Sequence, residues 1–428
     1  MNLKSWYQKR GLQFIFQRAA ILFNRYGISS SKAKTRIKDG MSIMAEYGCS
    51  PTFFTPGIVV KHYSRFIQDL QANGAEIAIH SYQHVDLTSI SVDLAREQLT
   101  KAIHIFNTNK INSVGFRCPY LCFSDELLAS LPDELFGYSS NQAVLLELPQ
   151  LNQKKGQNVI FDALDRFYHP SSFTETPSLP SSHSNLIEIP VCVPDDMQLH
   201  DGLNLDSDGI SQVWIEMLRH TYQRGELFNL IFHPELGSVC KPSFKDLLEE
   251  ATRLTPKVWI VPLRDICKWW QEKAKFGVEI TTNSDGLKLT FDCSPRATIL
   301  VKGLDSNGSA VKWDGTYSRL RTNSLEVPAN PRPFIGLEQD VPKRVVSFLQ
   351  EQGYILEPGE NAAFCGLFLN NDNLSRMMND VELVNSIESA PVPLVRYWRW
   401  PDGAKSALSI TGDLDALSLR DYTSRLFN

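Results

Sequence analysis

The chain has 428 residues, 43% of them hydrophobic and 21% charged, with a formal net charge of −5. That composition excludes a disordered chain, and the length exceeds one ordinary core, so two or three domains are expected. The acidic balance supplies no field for gripping a phosphate backbone, which sets nucleic acid aside as a partner.

Arg18 interrupts the apolar run near the N-terminus, and residues 11–25 read as a core or surface helix, with an amphipathic helix touching a membrane surface as the alternative. From 30 to 135, helix and strand alternate. Ile37, Met41 and Met44 recur at i, i+4, i+7, which predicts a helix ending near Gly48, and Thr52–Phe54 follows as a short strand. Tyr63, Phe66, Ile67 and Leu70 form the next helical stripe, stopped at Gly74. Glu76–Ile79 is strand-like. Ser91 caps a helix carrying Val92, Ala95, Leu99, Ala102 and Phe106, and Ser113–Phe116 is another strand. Repeated βα units imply parallel strands with helices outside, as an open sheet or a barrel. Residues 138–185 read as long loops. A helix at Ser211–Arg219, a strand at Leu227–Phe232 and a last βα unit carry the pattern to about Lys275.

From 276 to 340 the texture changes to short alternating runs separated by Asp-Gly, Asn-Gly and Pro, the pattern of a small β-sandwich. Residues 341–395 read as a mixed connecting segment with a helix at Val345–Gln350. The tail, 396–428, reads as strand, loop and helix start. No apolar run approaches membrane-spanning length. The eight cysteines are scattered, and the closest pair, Cys118 and Cys122, matches no zinc-ribbon spacing. Reduced, mostly buried thiols and a cytoplasmic location are the expectation.

Four places share one design, in which an apolar strand runs directly into residues able to do chemistry. Glu76–Ile79 leads into His80 and His84, and Ser113–Phe116 into Arg117. Leu227–Phe232 leads into His233, and Ala407–Ile410 into Asp413 and Asp415. In a parallel α/β fold the C-terminal strand ends open onto one face, where catalytic groups gather. Taken singly, each has an ordinary reading as partly exposed histidines, a surface arginine, a loop histidine or a solvated loop. Two histidines four apart plus one aspartate would complete a three-ligand catalytic metal site.

Taken together, HSYQH, GFRCPY, LIFHPE and LSITGDLDA resemble the motifs of the NodB-like polysaccharide deacetylase family. The resemblance spans about 20–275 and 400–428. It implies a distorted (β/α) barrel and metal-dependent hydrolysis of an N-acetyl or N-formyl group from an amino sugar. The substrate would be a glycan or glycan precursor. Carried over position by position, His80, His84 and Asp415 would hold the metal. Zinc is the first expectation, with cobalt, nickel or manganese as alternatives. Asp413 would be the general base and His233 the acid. Arg117 would orient Asp413, and the backbone N–H of Tyr120 would help bind the oxyanion. The family's fourth motif, an Asp followed by Trp, has no clean match. Asp195 and Asp196 are its nearest candidates, with Trp214 as a wall residue.

The order also departs, because the aspartate motif opens the family's sequences and here comes last. LTFDC at Leu289–Cys293 mimics the missing motif but lies in the β-rich texture, with Cys293 at the second acidic position. Three explanations compete: circular permutation, a second deacetylase domain cut short, and exchange of the tail strand within a homo-oligomer. Permutation is preferred, because no strand before His80 ends in Asp. The expected organisation is therefore a discontinuous barrel, 1–275 with 396–428. A non-catalytic carbohydrate-binding or scaffold protein on a decayed deacetylase fold is the alternative function.

Overall fold

The computed structural model describes residues 23, 25–131, 135–148, 168–183, 186–284, 286–305 and 308–424. Most of the helix expected over 11–25 lies outside them. Among the described residues, eleven strands precede residue 261: β1 (Thr52–Thr55), β2 (Glu76–Ile79), β3 (Gly115–Phe116), β4 (Tyr138–Ser139), β5 (Ala143–Leu145), β6 (Ser171–Ser172), β7 (Ser181–His183), β8 (Leu186–Glu188), β9 (Val191–Val193), β10 (Leu227–Phe232) and β11 (Val258–Ile260). Seven more, β12 to β18, span Gly277–Leu337; β19 (Leu356–Pro358), β20 (Cys365–Leu369), β21 (Leu394–Tyr397) and β22 (Ser406–Asp413) follow.

The main sheet runs β6-β5-β9-β10-β22-β1-β2-β3-β4-β8-β7, with β11 pairing β22 off that path. All its pairings are parallel except β7 with β8. Helices Ser31–Glu46, Gly57–Ala72, Val92–Thr108, Ser207–Arg224 and Gly237–Arg253 pack on it through one large apolar cluster. The sheet curls into a distorted barrel. The region expected to be loop, 138–185, contributes β4 to β7. These strands are two or three residues long, too short to show a period in sequence.

The tail strand occupies the middle of this sheet. β22 pairs with β10 over six residues, Leu227–Phe232 against Ala407–Gly412, and with β1 over Thr411–Asp413. Both are strands of its own chain. All eight residues of β22 are buried, and they alternate with period two. Leu408 and Ile410 join the apolar cluster under the helices. Ala407, Ser409, Thr411 and Asp413 therefore face the other way, into the barrel. Close approach fixes Gly412, since a Cβ there would lie 2.9 Å from the Phe232 ring and 3.0 Å from that of Phe53.

The strands over 277–337 are antiparallel up to Val327. β12 (Gly277–Asn283), β13 (Gly286–Asp292) and β17 (Ser324–Val327) form one sheet. β15 (Ala310–Asp314), β16 (Tyr317–Leu320) and β14 (Ile299–Lys302) form a second, completed by β21. Leu289–Asp292 of LTFDC lie on β13, with Leu289 and Thr290 paired on both sides, and Asp292 is exposed. β18 (Arg332–Leu337) instead pairs in parallel with β19 and β20, in the order β19-β18-β20. With helices Lys343–Glu351 and Asp380–Ser389, these strands give 332–389 a small α/β layer of its own. Among the described residues no helix is long and apolar enough to cross a membrane.

Candidate active site and metal centre

His80, His84, Arg117, His233, Asp413 and Asp415 all follow or end parallel strands, and five of them converge around one point. The HSYQH segment is a turn and not a helix. The start of helix Gly57–Ala72 holds it, with Gly57 N–H donating to Ser81 O at 2.9 Å and Ile58 N–H to Tyr82 O at 2.9 Å. A Cβ at Gly57 would sit 2.9 Å from the Tyr82 ring, so glycine lets this helix approach the turn. Ser81 takes a left-handed conformation, φ +64°, which swings His80 and His84 onto one side. Their rings meet edge to face at 5.0 Å.

Asp415 lies between them. His80 Nε2 is 3.4 Å from one of its carboxylate oxygens and His84 Nε2 is 3.1 Å from the other. A tetrahedral ion bound at about 2.0–2.2 Å puts its ligand atoms about 3.3–3.6 Å apart, so this spacing suits a shared zinc-type ion. The donor chemistry agrees. His80 Nδ1 is 2.9 Å from the Arg117 carbonyl oxygen, which accepts and cannot donate, so that nitrogen carries the ring proton. Nε2 then faces two carboxylates, Asp415 at 3.4 Å and Asp413 at 3.9 Å. A cation at Nε2, metal ion or proton, offsets the charge of these carboxylates. Two imidazoles and one carboxylate are also the ligand types of an open catalytic zinc site, so the residues present fit the metal.

Asp413 is held from behind. Arg117 Nη1 donates to its Oδ1 at 2.8 Å, leaving Oδ2 to face the ligand set. The guanidinium is fully buried. It also donates to Thr411 Oγ1 from Nη1 and Nη2 at 3.2 Å, to Ser140 O from Nε at 3.0 Å and to Ser140 Oγ from Nη2 at 3.0 Å. Its carbon lies 3.9 Å from the centre of the Phe54 ring, so all three of its nitrogens are committed.

His233 hangs from Asp196, whose two oxygens take its backbone N–H and its Nδ1–H, each at 2.7 Å. That bond uses Nδ1 and leaves Nε2 for other contacts. Burial alone would lower the His233 pKa, but contact with Asp196 outweighs it, Asp195 and Glu235 add to the effect, and the imidazole is raised well above its usual range. Asp195, Asp196 and His233 could also be taken as a metal-ligand cluster. At 2.7 Å, however, the His233–Asp196 contact is a hydrogen bond, too short for two ligands of one ion.

Asp195 points elsewhere and accepts from Tyr168 Oη at 3.3 Å and from Gln198 N–H at 2.9 Å. Burial pushes its pKa up to about 6, against His233, which opposes the rise, and with Asp196, which adds to it. Tyr120 is left-handed, φ +61°, and its exposed ring stands on the His84 edge at 4.5 Å. Trp214 is fully buried and stacked on Phe244 at 5.4 Å, so it lines the core and no open wall.

Sequence reasoning missed the supporting groups. Thr411 lies inside the motif that was read, and its spacing from Asp413 puts both on one face, so periodicity alone could have flagged it. Ser140 and Phe54 come from other strands and carry no motif. Glu235, two residues after His233, is buried and accepts from Tyr26 Oη at 2.6 Å. Its carboxyl pKa is raised by burial, lowered in part by His233 and raised further by Asp415.

A family model described as polysaccharide deacetylase matches residues 21–133, the stretch that contains His80, His84, Arg117 and Tyr120. Over that stretch the chain is similar to the polysaccharide deacetylase family. The rest of the deacetylase-type barrel, including His233, Asp413 and Asp415, lies outside the matched stretch. No curated protein matches the chain. Among solved structures, one from Pseudomonas aeruginosa PAO1, titled a probable polysaccharide deacetylase, is 16% identical with TM-score 0.44, over 56% of this chain and 72% of that one. The peptidoglycan deacetylase PdaC from Bacillus subtilis is 14% identical, TM-score 0.30, over 55% and 85%. A pseudoenzyme of family CE4 from Bacillus anthracis is 15% identical, TM-score 0.32, over 55% and 61%.

Proposed function

We propose that this chain is a metal-dependent deacetylase that hydrolyses an N-acetyl or N-formyl group of an amino sugar in a glycan or glycan precursor. The observation that carries the reading is the meeting of Asp415 with His80 and His84 at 3.4 and 3.1 Å, beside Asp413 and its buried arginine. Hydrolysing an amide needs an activated water, charge stabilisation on the acyl oxygen and a proton for the leaving amine. A divalent ion, zinc first, would be held by His80, His84 and Asp415 and would supply Lewis-acid polarisation and acidification of water. Asp413 Oδ2 takes up the proton of the attacking water, while Arg117 keeps the carboxylate aimed. His233 delivers a proton from Nε2 to the departing nitrogen, with Asp196 stabilising the charged ring. The Tyr120 backbone N–H is directed at the acyl oxygen by its left-handed turn. We further propose that the chain is a permuted member of its family, in which the aspartate strand has moved to the C-terminal end.

The test is release of acetate or formate from N-acyl amino sugars and their oligomers by purified protein, with Asp413→Asn as control. Release by wild type and not by Asp413→Asn is expected. Saturable saccharide binding with no release would overturn the reading in favour of a non-catalytic carbohydrate-binding protein.

A further inference from the structure

Arg117 rests on a column of polar side chains that continues down the barrel interior. Ser409 lies two residues before Thr411 on β22, on the same inward face, and Asn229 is its register partner on β10. Asn229 Nδ2 donates to Pro190 O at 2.8 Å and to Ser140 Oγ at 3.3 Å. Ser140 in turn accepts from the Arg117 guanidinium through both its oxygens. The carbonyl of Pro190 cannot donate, so the Asn229 amide orientation is fixed and Oδ1 is turned elsewhere. Asn229 Oδ1 and Ser409 Oγ are fully buried and have no hydrogen-bond partner among the described residues. A buried acceptor and a buried hydroxyl on neighbouring strands each cost free energy if left unmet, and one shared water satisfies both.

We propose that Asn229 and Ser409 bind one internal water and, with Ser140, act as positioning residues that fix Arg117 and through it Asp413. The catalytic part of this inference rests on the proposed role of Asp413; the water site does not. The water donates to Asn229 Oδ1 and accepts from the Ser409 hydroxyl. Asn229 thereby keeps its amide aimed at Ser140, and Ser140 keeps the guanidinium in the plane that reaches Asp413. None of these groups touches the reacting atoms.

Asn229→Leu removes the water's acceptor and the donor to Ser140 together. Its expected effect is a fall in kcat of about 10-fold, with KM and bound metal unchanged. In an Arg117→Lys background the same substitution should cost nothing further, because the residue through which it acts is already gone. A fully additive loss, or a kcat equal to wild type, would overturn the positioning role. Ser409→Ala is the milder variant should Asn229→Leu fail to fold, and its expected loss is a few-fold in kcat alone. A crystal structure resolving ordered water tests the site independently of activity. Density bonded to Asn229 Oδ1 and Ser409 Oγ supports it, and a dry contact there refutes it. If wild type releases no acyl group, the functional reading fails while this crystallographic result still decides the water site.

Discussion

Asp413 ends β22 and Asp415 follows two residues later, both at the candidate site, while Leu414 between them turns to the core. What distinguishes them is their neighbours: Asp413 has a buried guanidinium behind it, and Asp415 has two imidazoles in front. Arg117→Lys keeps the charge but loses the planar fork that reaches Asp413, Thr411 and Ser140 at once. A fall in kcat of about 10–100-fold with little change in bound metal is expected. The pH profile tests the proposed role of His233. Its raised pKa means that the proton-donating form persists into neutral solution and is lost as pH rises through that value. Asp196→Asn removes the charge that does most to raise it, so the basic limb of kcat against pH should move down by about one unit or more. A limb that stays in place would show that another group supplies the proton.

At the scale of elements, the tail strand decides the fold as well as the site. It supplies the partner of both β10 and β1, so a chain ending at 405 would leave two buried strands with unmet backbone groups. Such a chain is expected to lose cooperative unfolding, read by circular dichroism during denaturation. Gly412→Ala is a finer probe. Its methyl group would press on the buried Phe232 and Phe53 rings, and a loss of about 1–3 kcal/mol in denaturant unfolding is expected. Much of this was legible in the sequence. The apolar run Ala407–Ile410 marked the strand, and the apolar runs leading into His80, Arg117, His233 and Asp413 marked the candidate site. What could not be read came from groups brought together across the barrel. Nothing in the sequence chooses Asp196 over Asp195 as partner of His233, because adjacent residues leave a turn in different directions. Nor does anything mark Ser140 or Asn229, whose polar side chains matter only because the curled sheet places them around a buried arginine. The short strands between 138 and 188 were missed because two or three residues show no periodicity.

Across the whole molecule, aromatic packing ties the β-rich region to the segment that leads into β22, with Trp313 on β15 lying 5.1 Å from Trp398, and ties that segment to the barrel. Trp400, in the segment that leads into β22, lies 5.6 Å from Trp270 and 6.2 Å from Trp259, and its ring N–H donates to Gly225 O at 2.8 Å. Trp269 Nε1 donates to Arg399 O at 2.8 Å. This cluster anchors the chain just before it re-enters the sheet, so losing Trp400 should loosen the tail strand with it. Trp400→Ala is expected to cost about 3–5 kcal/mol by denaturant unfolding and to reduce bound metal in parallel. In the proposed site, residues more than 300 positions apart share one ion, and metal analysis of purified protein decides whether they do. Wild type should carry about one divalent ion per chain, and Asp415→Ala should lose it while keeping its circular dichroism spectrum. Wild type without bound metal at neutral pH, or undiminished metal in Asp415→Ala, would contradict it.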